Sequence, residues 1–364
     1  MRPDTAHATD HHQALDVIVI GAGQAGLAIA WHLAQRQVRF VVLDAGPQVG
    51  HVWRSRWDSL TLFTPAEYDA LPGMPFPAPA GTYPTKDQVA DYLQAYAASF
   101  ELPVRLNTRV TRLRRAGDLF AVATSTGTLL ARQVVVATGP FQAPHIPAVG
   151  AALDDAVTQV HSAQYRNSHD LPDGPVLVVG AGNSGLQIAE ELAATRRVTV
   201  AVGTRPLMLP QRLLGRDLFW WFTRLGLMDK PADSRIARRV RARGELVIGT
   251  SWRRLRGRGI TVRPRVVDAH ERTIRFADGT VLEVGTVVWA TGFRSDYSWI
   301  DAPPAVVDGR VVHRRGVTDV PGLYFLGLPW QHTRGSALLG FVKDDAAWLA
   351  DQLTADRATA LAGT

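Results

Sequence analysis

A strand-like run, a G-x-G-x-x-G turn and an apolar helical stretch occur in that order twice in this chain of 364 residues. No other feature narrows its fold as much. The copies are VIGAGQAGLAIAWHL, from Val19 to Leu33, and VVGAGNSGLQIAEEL, from Val178 to Leu192. Each opens with enough Val, Ile and Leu for a strand buried on both faces and continues with helical spacing after the glycines. In that setting Gly21 and Gly180 make a tight turn, Gly23 and Gly182 let a pyrophosphate approach the backbone, and Gly26 and Gly185 let helix pack on strand. The helix start, Gln24 and Ala25 in one copy and Asn183 and Ser184 in the other, offers free N–H groups and a positive dipole end to an anion.

The second strand of each unit separates the two ligands. VRFVVLDAG carries Asp44, 21 residues after Gly23, where a carboxylate accepts hydrogen bonds from ribose hydroxyls and repels a 2′-phosphate; Ala45 follows it. VTVAVGTRP ends instead in Thr204 and Arg205. A guanidinium matches phosphate in charge and fork geometry, which predicts NADP over NAD for this unit. Two dinucleotides in one chain point to a flavin and a nicotinamide exchanging a hydride. A strand ending in A-T-G closes each half, VVVATGP (Val134 to Pro140) and VVWATGF (Val287 to Phe293). Thr138, Gly139, Thr291 and Gly292 are there the small residues that let the chain pass close to a cofactor or cross between domains.

The length favours two domains. Cysteine is absent, which excludes a dithiol relay, Cys-ligated iron–sulfur and thiolate zinc, and removes the disulfide reductases from the flavoenzyme candidates. No metal site is expected; the Asp-His-His near the N-terminus reads as solvated. No apolar run is long enough for a membrane span, and the first residues lack a signal-peptide core and read as a disordered leader. A cytoplasmic location is expected of a user of NADPH.

Along the chain, a β-α-β unit from Leu15 to Leu43 is followed by a long Pro-, Gly- and Trp-rich loop, a helix capped by Thr85 and an antiparallel meander. The second half repeats the plan from Val176, with a meander whose hairpin is Asp278-Gly279. The expected fold is α/β, with two Rossmann-like dinucleotide-binding domains, each carrying a small meander. One covers 1–155 and 300–364 and binds FAD; the other, 156–299, is inserted in it and binds NADPH. Within the latter, residues 205–258 hold fourteen Lys and Arg against four acids, a surplus of ten in a chain of net charge +7. This segment reads as a basic helical insertion with its aromatics on the core and its arginines solvated. The cluster RDLFWWFTRLGLM also leaves open a weak peripheral contact with an anionic membrane surface. No nucleic-acid partner is expected.

The order of FAD-type motif, W-R loop, A-T-G, second G-x-G-x-x-G and A-T-G-F resembles the class B flavin-dependent monooxygenases, the flavin-containing monooxygenase-like oxidoreductases. The resemblance covers about Asp16 to Leu353 and is carried most by GHVWRSRWDSLTLFTP, HSAQYRN and the second cradle. Two departures stand out. Where the family has F-x-G-x-x-x-H-x-x-x-(F/Y/W), His161 and Tyr165 match but Asp155 and Val157 replace Phe and Gly, and the aromatic is Tyr165 followed by Arg166, unlike the Trp followed by Pro or Asp of Baeyer–Villiger enzymes, which speaks against ketone insertion. Where many N- and S-oxygenating relatives have Asn before Thr-Pro, this chain has Phe63.

The resemblance implies hydride transfer from NADPH to FAD, then oxygen transfer through a flavin hydroperoxide to a small nitrogen, sulfur or activated-carbon centre, with dioxygen as co-substrate. The cofactors carry the bond making, so no side-chain triad is needed. It also implies that Trp53 and Arg54 lie along FAD and that Thr64, Gln331, Thr333 and Ser336 are polar neighbours of the isoalloxazine. Two alternatives stay open: an NADPH oxidase or reductase without oxygen insertion, and a non-catalytic redox-sensing flavoprotein.

Overall fold

The computed structural model describes residues 14–242, 244 and 246–362; nearly all of the expected leader lies outside the described residues. Two α/β sheets, the first mixed and the second parallel, carry the two cradles. In the first, strand Leu15–Ile20 lies between Phe40–Leu43 and Gly127–Val136, parallel to both. The meander Val110–Ala116, Leu119–Thr124 and Gly127–Val136 extends this sheet antiparallel, and the late strand Leu323–Phe325 returns to pair with Val134–Val136. The second sheet is wholly parallel, in the order Thr261–Pro264, Val198–Val202, Val176–Val179, Thr286–Trp289, Thr158–His161. Strands of such sheets are covered on both faces, and Val176–Val179 and Thr286–Trp289 are buried throughout.

Helix Gln24–Gln35 buries Leu27, Ile29 and Leu33 against the first sheet, and Asn183–Leu192 buries Leu186, Ile188 and Leu192 against the second. Each such side chain contributes about 2 kcal/mol by leaving water. Both helices start at a glycine N-cap with no side-chain cap and no acid in the first turn. Lys86–Ser99 is the contrast: Thr85 and Gln88 close its first turn in a reciprocal capping box.

The basic segment differs from the helical insertion expected. Its helices Leu218–Arg224, Arg235–Ala242 and Trp252–Gly257 are interleaved with a hairpin, Arg212–Leu213 with Arg216–Asp217, and with a parallel pair, Leu207–Leu209 with Leu246–Ile248. Short apolar runs between arginines satisfy their backbone groups by pairing once the fold brings them together. Phe219 and Phe222 turn inward onto Phe63 and Phe341, while Leu214 and Leu225 face out.

The turns show why the motif needs glycine. Gly21 has φ +107°, and a Cβ on Gly26 would stand 1.8 Å from the Gly21 carbonyl oxygen; a Cβ on Gly23 would meet nothing within 4 Å. Gly26→Ala is therefore expected to cost about 3 kcal/mol in equilibrium urea unfolding. Gly23→Ala should unfold near the wild-type midpoint, and equal losses in the two variants would contradict this packing.

Candidate functional site

One cavity of about 960 Å³ reaches from the first cradle to the first turn of the second cradle's helix. Of the residues expected at the flavin, Gly21, Gly23, Gln24, Ala25, Asp44, Ala45, Trp53, Thr64, Thr138 and Gly139 line it. Gly26 lies under the helix, where contact with the strand needs it. Asp44 accepts from Ala22 N and Gly46 N, both at 2.7 Å. A carboxylate has about four acceptor sites, so this one braces the turn and still has capacity toward the cavity. Trp53 Nε1 donates to Gln24 Oε1 at 3.4 Å.

Arg54, expected along FAD, and three of the residues expected at the isoalloxazine make other contacts. Arg54 turns away, donating to Asp91 at 2.6 Å and Gln94 at 3.1 Å on helix Lys86–Ser99; the guanidinium on the cavity wall is that of Arg56, two residues on. Gln331 is buried, accepting from Leu328 N and donating to Arg315 O. Ser336 accepts from His332 N and Thr333 N, and Thr333 accepts from Gly335 N. The physical reason is common to the three: a loop folded into the interior must first satisfy its own N–H groups, and its polar side chains are the nearest acceptors. The same loop presents Trp330, Arg334 and Leu338 to the cavity instead.

In the second cradle Ser184 lines the cavity together with Asn183 and Gln187. The Asn183 amide is engaged, donating to Leu246 O at 2.9 Å and accepting from Ile248 N at 3.3 Å, which fastens the helix to the basic segment. Gly180 has φ +116°, and a Cβ on it or on Gly185 would stand 2.2 Å from a backbone oxygen; Gly182 caps the helix. Thr204 and Arg205 lie outside the cavity, exposed beyond strand Val198–Val202, with the Arg205 guanidinium 5.8 Å from the Trp252 ring centre. Sequence reading did not single out Arg265, whose Nη2 would be 3.5 Å from a Cβ on Gly203; it directly follows strand Thr261–Pro264, which pairs with Val198–Val202. Thr291 and Gly292 lie outside the lining of this cavity. Thr291 donates to His145 O, and Gly292 O accepts from His145 N at 3.0 Å and meets His161 Nε2 at 2.9 Å.

His161 is a brace between strands. Its Nδ1 accepts from Ala163 N at 3.1 Å, so Nε2 carries the proton and donates to Gly292 O. Burial first, then nearby cations, push its pKa below the usual imidazole value, and it stays neutral. Around it the W-R loop is stitched to the second cradle's helix: Tyr165 and Ser59 hydroxyls donate to Glu191, and Gln187 donates to Thr61 O at 3.2 Å. Phe63 lines the cavity and stacks on Phe219 at 6.1 Å.

Behind Thr64 lies a fully buried carboxyl. Thr64 Oγ1 is 2.6 Å from Asp69 Oδ1, and among the described residues Asp69 Oδ2 has no partner. Burial pushes the Asp69 pKa up to about 8, against the opposing hydrogen bond from Thr64. An uncharged acid thus stands one hydroxyl away from the cavity at neutral pH.

The model of the family described as pyridine nucleotide-disulphide oxidoreductase matches residues 18–211, more than half of the chain. The chain belongs to that family. It has no cysteine, so the disulphide chemistry in the family's description has no side chain here. An uncharacterized CzcO-like oxidoreductase of Geobacillus kaustophilus (strain HTA426) is 46% identical over 342 residues, 93% of this chain and 98% of the relative. A flavin-containing monooxygenase from Stenotrophomonas maltophilia superposes with a TM-score of 0.77 at 30% identity, over 94% of this chain and 99% of that one. The fold alone is shared with an OTEMO complex with FAD and NADP, at a TM-score of 0.69 and 16% identity, over 95% of this chain and 87% of that one. No helix among the described residues is long and apolar enough to cross a membrane, and no group of three or more metal-ligating side chains is found among them.

The Asp69 carboxyl yields a sign that can be measured. Its folded pKa of about 8 exceeds the ordinary 3.8, so the stability tied to its proton is full below about pH 4 and falls as pH rises through about 8. Relative to Asp69→Asn, the wild type should lose stability across that window by up to ~1.4 kcal/mol per pH unit, then level off. Urea unfolding of both proteins at several pH values checks this, and parallel curves would show that Asp69 is ionised in the fold.

Proposed function

We propose that this oxidoreductase is an NADPH-dependent FAD monooxygenase that places one oxygen atom of dioxygen on a small nitrogen, sulfur or activated-carbon centre. The observation that carries the reading is the single cavity that begins at Asp44 and the first cradle and ends at Ser184 and Gln187 of the second. FAD and NADPH held from opposite ends converge in it. When bound, the two supply hydride transfer and dioxygen activation. The chain supplies placement and dryness.

In this reading residues 1–155 and 300–364 hold FAD, and 156–299 hold NADPH. The open approach at Gly23 admits the FAD pyrophosphate to the uncapped helix Gln24–Gln35, and Asp44 accepts from the ribose. The uncapped helix Asn183–Leu192 receives the NADPH pyrophosphate, and Thr204, Arg205 and Arg265 receive its 2′-phosphate. Trp53, Trp57 and Leu62 on one wall and Leu338 and Val342 on another exclude water from the reacting region. Thr64, backed by Asp69, holds a proton at that wall. A cytoplasmic site of action suits a consumer of NADPH.

A second reading, NADPH oxidation without oxygen insertion, is favoured by Phe63. An aromatic ring stacked on Phe219 offers no amide to the cavity.

Stopped-flow mixing of the yellow protein with NADPH and then dioxygen decides between them. Monooxygenation requires fast flavin bleaching and then an oxygen-dependent transient unlike either oxidised or reduced flavin; direct return to the oxidised spectrum supports the oxidase. Colourless protein that leaves NADPH untouched overturns both. Arg205→Gln should raise the NADPH dissociation constant roughly tenfold, the loss of one charge-assisted contact, and leave NADH binding unchanged. Equal weakening of the two nucleotides would remove Arg205 from the 2′-phosphate site.

A further inference from the structure

A second cationic feature of the cavity is left unused by the two nucleotide sites. The Arg56 guanidinium lies on the cavity wall with its Cζ 5.4 Å from the Phe293 ring centre and 5.7 Å from that of Phe141. Among the described residues no carboxylate pairs with it and no acceptor takes its side-chain N–H groups. Arg166 stands beside it, and Arg166 Nη1 is buried with no hydrogen-bond partner among the described residues. Burial first, and Arg166 second, hold the Arg56 pKa below the ordinary guanidinium value.

The nearby acids are committed elsewhere. Asp58 accepts from Asn167 Nδ2 at 2.9 Å and lies 3.7 Å from Lys86 Nζ. Asp296 lines the cavity, but its Oδ1 accepts from both the N–H and the hydroxyl of Ser298. His145 and His161 complete the surroundings: Arg56 and His145 both act to lower the His161 pKa, and the His161 N–H points at Gly292 O. Among the described residues, no carboxylate therefore forms an ion pair with Arg56, although Asp296 lines the same cavity.

Ring contacts cover the faces of a guanidinium and leave the in-plane N–H fork unsatisfied. A half-buried fork with no protein acceptor is hydrated on its open side in the empty site, and a planar oxyanion can replace that water with two parallel hydrogen bonds. In the proposed function three oxyanions enter this cavity, the diphosphates of FAD and NADPH and a substrate carboxylate, and the uncapped helix Gln24–Gln35 takes the first. In the same reading the second cradle's helix, which has no side-chain cap, takes the NADPH diphosphate. The walls beside Arg56 are aromatic, and Phe141 is 62% exposed at the rim while meeting Phe293 edge to face at 5.2 Å. A singly charged planar head on an apolar body fits such walls; a doubly charged diphosphate does not.

We propose that Arg56, backed by Arg166 and walled by Phe141 and Phe293, binds the carboxylate of an apolar organic acid, so that the substrates oxidised in this cavity are acids. The inference rests on reading the cavity as the substrate chamber of a monooxygenase, yet the site itself can be read without turnover.

The probes are 3-phenylpropanoate and its neutral amide, titrated into the FAD-loaded protein by isothermal titration calorimetry. The acid should bind about tenfold or more tighter than the amide, as a charged bidentate contact allows. Arg56→Gln should bring the ratio to about one, Arg56→Lys should recover part of it, and Arg166→Gln should reduce it without abolishing it. Equal binding of acid and amide by the wild type overturns the proposal, and so does an Arg56→Gln variant that keeps the preference. Arg56→Gln that loses affinity for NADP⁺ while keeping the acid preference assigns the guanidinium to the diphosphate. If the Gln variant fails to fold, the wild-type ratio and the Lys variant still decide. Acid binding in a protein that never oxidises NADPH would sink the proposed function and leave this site standing.

Discussion

Contact between the third glycine of each cradle and the carbonyl of its first glycine is the constraint on which the rest depends. With Gly26 and Gly185 in place, each helix lies close enough on its strand for its first N–H groups to stand just past the strand end, uncapped and aimed at one point. A methyl group there would lift the helix off, and the anion site would go with it. The neighbouring helix Lys86–Ser99 shows what a helix looks like when no anion is intended for it: Thr85 and Gln88 spend their hydrogen bonds on its first turn.

Two such sites make a reaction chamber only if they are held at a fixed separation. That separation is set by apolar packing, of Trp57 and Leu60 on Leu186 and Ile188 and of Phe63 and Phe341 on Phe219, and by a small number of polar ties across it. Glu191 accepts from Tyr165 and Ser59, Gln187 reaches Thr61, and Asp58 N donates to Arg166 O at 2.8 Å. On the other side Gln211 donates to Phe63 O and to Asp217, and Tyr83 donates to Asp217, which seats the basic segment against the loop that forms the cavity roof. Burial and Asp217 together push the Tyr83 pKa up to about 12, so this donor keeps its proton over any physiological range. Hydrogen bonds of this kind are worth little each, and they fix geometry because each has a single partner.

Legibility in the sequence followed the range of the interaction. The strand–turn–helix units, the Thr85 cap and both meanders could be read because each depends on residues within a few positions of one another. The tail loop could not. Gln331, Thr333 and Ser336 are polar and sit in the right stretch, yet their side chains close the loop's own backbone, and the cavity receives Trp330, Arg334 and Leu338. Arg54 and Arg56 are two residues apart on one short helical turn and its exit, and only the position of Asp91 and Gln94 on another helix determines which of them reaches the cavity.

The sequence by itself determined the two nucleotide cradles, the family and the absence of thiol chemistry, because glycine placement, strand composition and cysteine content act locally and need no partner from afar. Tertiary structure decided which cations remain unpaired. Charge balance at Arg56 depends on where Asp58, Asp296 and Arg166 come to rest, in three separate stretches of the chain. Whether a half-buried guanidinium has a counter-ion is a property of distance in space, and spacing along the chain carries no record of it.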